Sequence, residues 1–155
     1  MPRRKRKFKR EILPDPKYNS VTVARFVNHL MQRGKKSVAE GILYRALDIV
    51  VEKTKKDALE IFDLALKNVA PVLEVKSKRI GGANYQIPVE VRMPRKMTLA
   101  MRWIIGAARL RKGRPMAEKL AEELITASKR EGEAMRKREN IQRMAEANRA
   151  FAHFA

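Results

Sequence analysis

The chain contains no cysteine. Disulfides, thiol nucleophiles and cysteine-ligated zinc are therefore excluded. Histidine is almost as scarce, and His29 and His153 alone cannot build a three-histidine metal site. Acid is in short supply, with 17 carboxylates against 36 lysines and arginines. No apolar run approaches the roughly 18 residues that span a bilayer. The basic N-terminus lacks the apolar stretch that would make it a secretory signal. There is no GxGxxG, Walker loop, GxSxG or HExxH. Glu122-Glu123 is an adjacent carboxylate pair, but neighbours on a helix project about 100° apart and do not readily share a site. These absences predict a soluble, cytosolic protein with no catalytic residues, no metal and no cofactor.

What is present is positive charge. The net charge is +19 and the isoelectric point about 10.8. Such a charge is costly to confine in a compact body unless a polyanion neutralises it. Nucleic acid is the first candidate and an anionic membrane surface the second. At 155 residues, with 45% hydrophobic residues, a real core is affordable and a single domain is expected over residues 1–155. Its parts are a basic tail (1–12), a β-ribbon arm (72–94) and a C-terminal helix (133–155).

The tail concentrates Arg3, Arg4, Lys5, Arg6, Lys7, Lys9 and Arg10. It is expected to be disordered alone and ordered against phosphates; a solubilising or localising tail is the alternative. Six helices are expected after it. Ser20 is the N-cap of the first, with Val23, Val27, Leu30 and Met31 at helical spacing and Gly34 as its terminator. A capping box at Ser37 and Glu40 opens the second. Lys35 and Lys36 then lie at a helix N-terminus that favours anions, or in a solvated connector. Gly41 is expected to permit close helix approach. Asp57 caps the third helix. Leu99, Trp103, Ile104, Ala107 and Ala108 make the buried face of the fourth, where Trp103 reads as core, with base stacking as the alternative. Arg109, Arg111 and Arg114 form a basic loop before the fifth helix, whose outer face is expected to carry Glu118, Glu122 and Glu123. The sixth buries Met135, Ile141, Met144, Ala145 and Asn148.

Between helices three and four, two β-prone runs flank Gly81-Gly82-Ala83-Asn84. A four-residue loop would place Ile80 opposite Tyr85, Lys78 opposite Ile87 and Lys76 opposite Val89. Pro88 cannot donate to a ladder, which rules out a central strand. The expectation is a projecting two-stranded ribbon, with a small sheet inside the fold as the alternative. The architecture is thus mainly α: six helices, one β-hairpin and a basic tail.

Three ordered blocks carry a resemblance. They are Ser20-x-Thr22, Phe26-Val27, Gly34-Lys35-Lys36, Ile42-Leu43 and Ala46; then GGANYQIPVEV from Gly81 to Val91; then MAEANRAFAHF from Met144 to Phe154. They resemble the bacterial form of ribosomal small-subunit protein seven over essentially the whole chain. The resemblance implies a helical domain with a protruding ribbon. It also implies direct, early binding to the 3′ major domain of small-subunit ribosomal RNA and nucleation of the subunit head, near the exit-site transfer RNA and the messenger RNA exit. Small-subunit protein eleven would be a direct neighbour, and proteins nine, thirteen and nineteen would depend on it; no membrane and no homo-oligomer is required. On this basis the RNA-binding candidates are the tail cations with Lys35, Lys36, Lys76, Lys78, Arg79, Arg92, Arg95, Arg102, Arg109, Arg111 and Arg114. Gly81, Gly82, Ala83, Asn84, Tyr85, Arg143 and Arg149 are expected to face transfer or messenger RNA. Composition alone also permits a DNA-architectural protein whose ribbon is a minor-groove arm.

Overall fold

A computed structural model describes residues 11–154, so the expectations for the basic cluster at residues 3–10 lie outside the described residues. Six α-helices are present: α1 (Val21–Leu30), α2 (Lys36–Thr54), α3 (Ala58–Val69), α4 (Met93–Leu110), α5 (Met116–Ser128) and α6 (Glu133–Ala147). Strands β1 (Leu73–Ile80) and β2 (Ala83–Glu90) stand between α3 and α4, and a 3₁₀ segment, Arg149–Phe154, follows α6.

Helix α5 is the hub. It packs against α2, α3, α4 and α6. A helix covered on several sides needs a wide apolar stripe of small and branched residues. Leu120, Ala121, Leu124 and Ala127 supply it and are fully buried. Phe26 of α1 meets Phe62 of α3 edge-on, with ring centroids 5.3 Å apart. Arginine and lysine stay out of this core, which is built from Leu, Ile, Val, Phe, Met and Ala.

Because α5 is enclosed, the outer face expected for Glu123 does not exist. Glu123 is 0% exposed. Its Oε2 accepts from Arg111 Nη2 at 2.7 Å and Nε at 3.1 Å, and its Oε1 accepts the Ala134 amide at 3.0 Å. One buried carboxylate therefore ties the α4–α5 loop to the first turn of α6. A buried charge is tolerable only when partnered this way.

Several helix ends differ from expectation. Ser20 does cap α1, accepting from the Val23 amide. The helix stops at Leu30, however, and Gly34 sits in the connector with φ +76°, next to Arg33 at +52°. The glycine serves a left-handed turn and not the helix terminus. Helix α2 opens at Lys36, with Lys35 in the N-cap position and no side chain capping it. Ser37 is already inside the first turn, so the expected capping box does not form; Lys36 pairs with Glu40 instead, at 3.7 Å. Asp57 occupies the α3 N-cap without a capping bond. Gly41 is exposed, and a Cβ there would meet nothing within 4 Å, so close helix approach is not its reason. On α6, Met135 and Ala145 are buried but Met144 is 47% exposed.

The ribbon is present as a two-stranded antiparallel sheet, and no further strand joins it among the described residues. Its loop is two residues, not four. Gly81 and Gly82 both take positive φ, +58° and +91°, as the tightest right-twisting hairpin turn requires. Ala83 and Asn84 thereby join the strand. Lys78 faces Tyr85 and Lys76 faces Ile87. The shift from the expected pairing is two residues, so every side chain keeps its face. Ile87 and Pro88, on opposite faces, are both buried, while residues 76–79 and 81–84 are exposed. The base is covered by α6 and the 3₁₀ segment. Tyr85 packs on Phe151 with ring centroids 5.1 Å apart. The ribbon is thus covered on one face from its base as far as Tyr85, and its turn end, residues 81–84, is open.

Candidate nucleic-acid interface

The exposed cations fall on separate elements. The first group lies where the α1–α2 connector meets the end of α4. Lys35 and Arg109 line one groove of about 370 Å³ with Leu30, Val38, Ile42 and Met116. Arg109 donates to the Leu30 carbonyl at 3.3 Å, which fixes its side chain across the open C-terminus of α1. Lys36 is exposed beside them, and so is Arg33, which its sequence context did not single out. A left-handed φ at an arginine is the local signal for that residue, and it is visible only in the folded chain.

A second group flanks the groove between α4 and α6, where Arg102, Arg136 and Lys137 converge. Arg102 is among the candidates read from the sequence, but Arg136 and Lys137 are not; only the folded chain brings them beside it. His29 on α1 feels this region: burial, and then the Arg102 charge, push it below its ordinary value of 6.5.

The ribbon and the start of α4 form the third group. Glu74 accepts from Lys76 at 3.1 Å and from Arg95 at 3.2 Å. Burial alone would raise the Glu74 carboxyl, but these two cations outweigh it and hold the group below the usual carboxylate value. Lys78, Arg79 and Arg92 are exposed on the same arm or at its root. Arg143 and Arg149 are exposed on α6 and the 3₁₀ segment.

Two expected contacts are paired with carboxylates of this chain. Arg111 is 30% exposed and is held by Glu123 and by Glu122, the latter at 3.3 Å. Arg114 also binds Glu122, as does Lys53 at 3.8 Å. The basic loop before α5 is therefore partly neutralised by its own helix. Arg138 likewise turns in, donating to the Asn68 carbonyl at 2.5 Å, while Asn68 donates to the Ala127 and Ser128 carbonyls at the end of α5.

The chain leading out of the tail is fastened as well. Buried Asp15 accepts from the Lys17 and Tyr18 amides at 3.1 Å each and from the Tyr44 hydroxyl at 2.7 Å. Burial first, and then this bond to Asp15, push the Tyr44 phenol up to about 12.

Among the described residues no cluster of His, Asp or Glu could hold a metal ion. No helix among them is long and apolar enough to cross a membrane. What the surface offers is guanidinium and ammonium groups, which suit phosphate as a partner.

The profile of the family described as ribosomal protein S7p/S5e matches residues 2–149. The small ribosomal subunit protein uS7 of Teredinibacter turnerae is 59% identical over 154 residues, covering 99% of each chain. The proteins of the same name from Thermotoga maritima and Nitrosomonas europaea are 57% and 58% identical over 98% and 99% of each chain. With a family match and relatives of this similarity running nearly end to end, the chain belongs to the ribosomal protein S7p/S5e family.

Proposed function

We propose that this protein is a cytoplasmic structural component of the small ribosomal subunit that binds the 3′ major domain of its RNA and starts assembly of the head. The family is one of structural proteins and not of enzymes. The observation that carries the reading is the placement of exposed cations on distinct elements around one neutral core: Lys35 with Arg109, Arg102 with Arg136, and the ribbon with Arg92 and Arg95. A-form RNA hides its base edges in a deep, narrow groove, so shape and phosphate contacts dominate its recognition. Phosphate contacts fix register without reading sequence. A folded multi-helix junction presents phosphates to all of these groups together, and an isolated duplex does not. Specificity then comes from the shape of the RNA.

In this reading the exposed tip, Gly81 to Asn84 with Tyr85, and Arg143 and Arg149 face the exit-site transfer RNA and the messenger. Small-subunit protein eleven is a neighbour, and proteins nine, thirteen and nineteen add later. Chemical footprinting of small-subunit ribosomal RNA with and without the protein tests the proposal. Protection confined to one junction of the head domain is expected. Protection scattered along the RNA, or equal competition by duplex DNA of the same length, would mark a general polyanion binder instead.

A further inference from the structure

The groove between α4 and α6 has a feature that phosphate binding leaves unexplained. Trp103, the single tryptophan, is only half-buried. It packs on the core and also forms a wall of an open groove of about 400 Å³. That size is at the lower end for small-ligand sites. Leu110 lines the same groove and is 75% exposed. Arg102, Arg136 and Lys137 stand round it against one carboxylate, Glu133, which Arg136 contacts at 2.6 Å.

Gly106 is the second observation. It lies inside an 18-residue helix, where glycine is disfavoured. Its φ is not positive, and a Cβ there would meet nothing within 4 Å. Neither backbone conformation nor internal packing calls for glycine at this place. The effect of its missing side chain is to leave the groove open one turn from the indole.

We propose that this groove receives an unpaired nucleotide of RNA, its base laid on Trp103 across the bare backbone at Gly106, its phosphates met by Arg102, Arg136 and Lys137. The inference deepens the RNA-binding reading above and rests on it. Unpaired bases are what proteins splay onto aromatic rings, with cations close by for the backbone. An apolar peptide in the same place would leave the ring of cations without partners. Since every base has a π-face, the groove selects unpaired over paired RNA, not one base over another.

Trp103 is the only tryptophan, so its fluorescence reports on this groove alone. The full chain is titrated with a single-stranded oligouridylate, with an abasic ribose-phosphate oligomer of equal length and with an RNA duplex, and binding is measured on the same samples by filter retention. Oligouridylate should quench the emission; the abasic strand and the duplex should bind without quenching it. Gly106→Leu, which fills the groove from a position with free space, should weaken oligouridylate binding roughly 5- to 150-fold, the range for losing one base–aromatic stack. Duplex binding should stay within about twofold, and the thermal midpoint should not fall. Binding of all three ligands with unchanged emission would overturn the groove proposal and leave RNA binding standing. Quenching by the abasic strand, or parallel loss of duplex and single-strand binding in Gly106→Leu, would overturn it too. Failure of every RNA to bind would remove both readings. The comparison of ligands on the unsubstituted protein needs no variant to fold.

Discussion

At the scale of single residues, Glu123 and Gly132 set the local stability. Gly132 is the N-cap of α6 with φ +96°, and a Cβ there would lie 2.9 Å from Thr126 Oγ1 and 3.0 Å from Glu123 Oε1. Gly132→Ala should therefore cost about 2–3 kcal/mol, combining backbone strain with that contact. Gly113→Ala carries the strain but meets open space and should cost about 1 kcal/mol. Urea unfolding midpoints at constant slope compare the two. Glu123→Ala leaves the Ala134 amide without its acceptor and Arg111 with Glu122 alone, and should cost about 3 kcal/mol, softened because Arg111 keeps that partner and can still reach water. His29 gives a pH signature. Its folded-state value lies below the ordinary 6.5, so the unfolded chain takes up a proton first. The stability it contributes is complete above about pH 6.5 and is lost as the pH falls further. His29→Gln should flatten the fall in thermal midpoint between about pH 7 and 5. Tyr44 works at the opposite end: its contribution holds up to about pH 10 and fades toward 12. None of this was legible in the sequence. Glu123 reads as one of three surface glutamates, because only the surroundings of α5 make its face an interior one.

At the scale of elements, periodicity carried most of the fold. The stripes of α1 to α5 and the two-run pattern around Gly81-Gly82 are local facts, and local facts survive folding. What local pattern could not decide was where each element stops. Ser37 and Glu40 have capping-box spacing, yet α2 begins at Lys36, one residue before Ser37, and no side chain caps it. The hairpin loop length was open for the same reason: glycine and asparagine both accept positive φ, but two adjacent glycines close the chain in the shortest way. The open turn and the covered part of the arm should respond differently to substitution. Gly82→Ala strains the tip at φ +91°, so amide exchange should speed up around residues 80–84 with little change in the global midpoint. Tyr85→Ala removes the Phe151 contact and should raise exchange in both β2 and the 3₁₀ segment. Gly41→Ala, on an exposed helix position with open space, should stabilise α2 by about 1 kcal/mol.

At the scale of the whole molecule, the excess of positive charge was legible at once, and the class of partner with it. Which cations remain available was not, because Arg111, Arg114 and Arg138 look like their neighbours until Glu122, Glu123 and Asn68 are seen beside them. If six to ten phosphates are neutralised, RNA affinity should fall by roughly 10³- to 10⁵-fold between about 50 and 200 mM salt, taking the duplex-DNA rule as a guide. A flat response would contradict an electrostatic clamp. Deleting residues 1–10 removes cations but none of the described core, so the salt slope should shrink while the thermal midpoint holds.

The central position of α5 also governs the order of events in folding. Helices α2, α3 and α4 all precede it in the chain and all rest on it. During synthesis the parts of their apolar faces that rest on α5 have no cover until it emerges, so docking of that one segment should be the step that closes the body. Truncating Leu120 or Leu124 should then slow refolding at least as much as it speeds unfolding, and an interrupted chain lacking α5 should be sticky, not merely shorter.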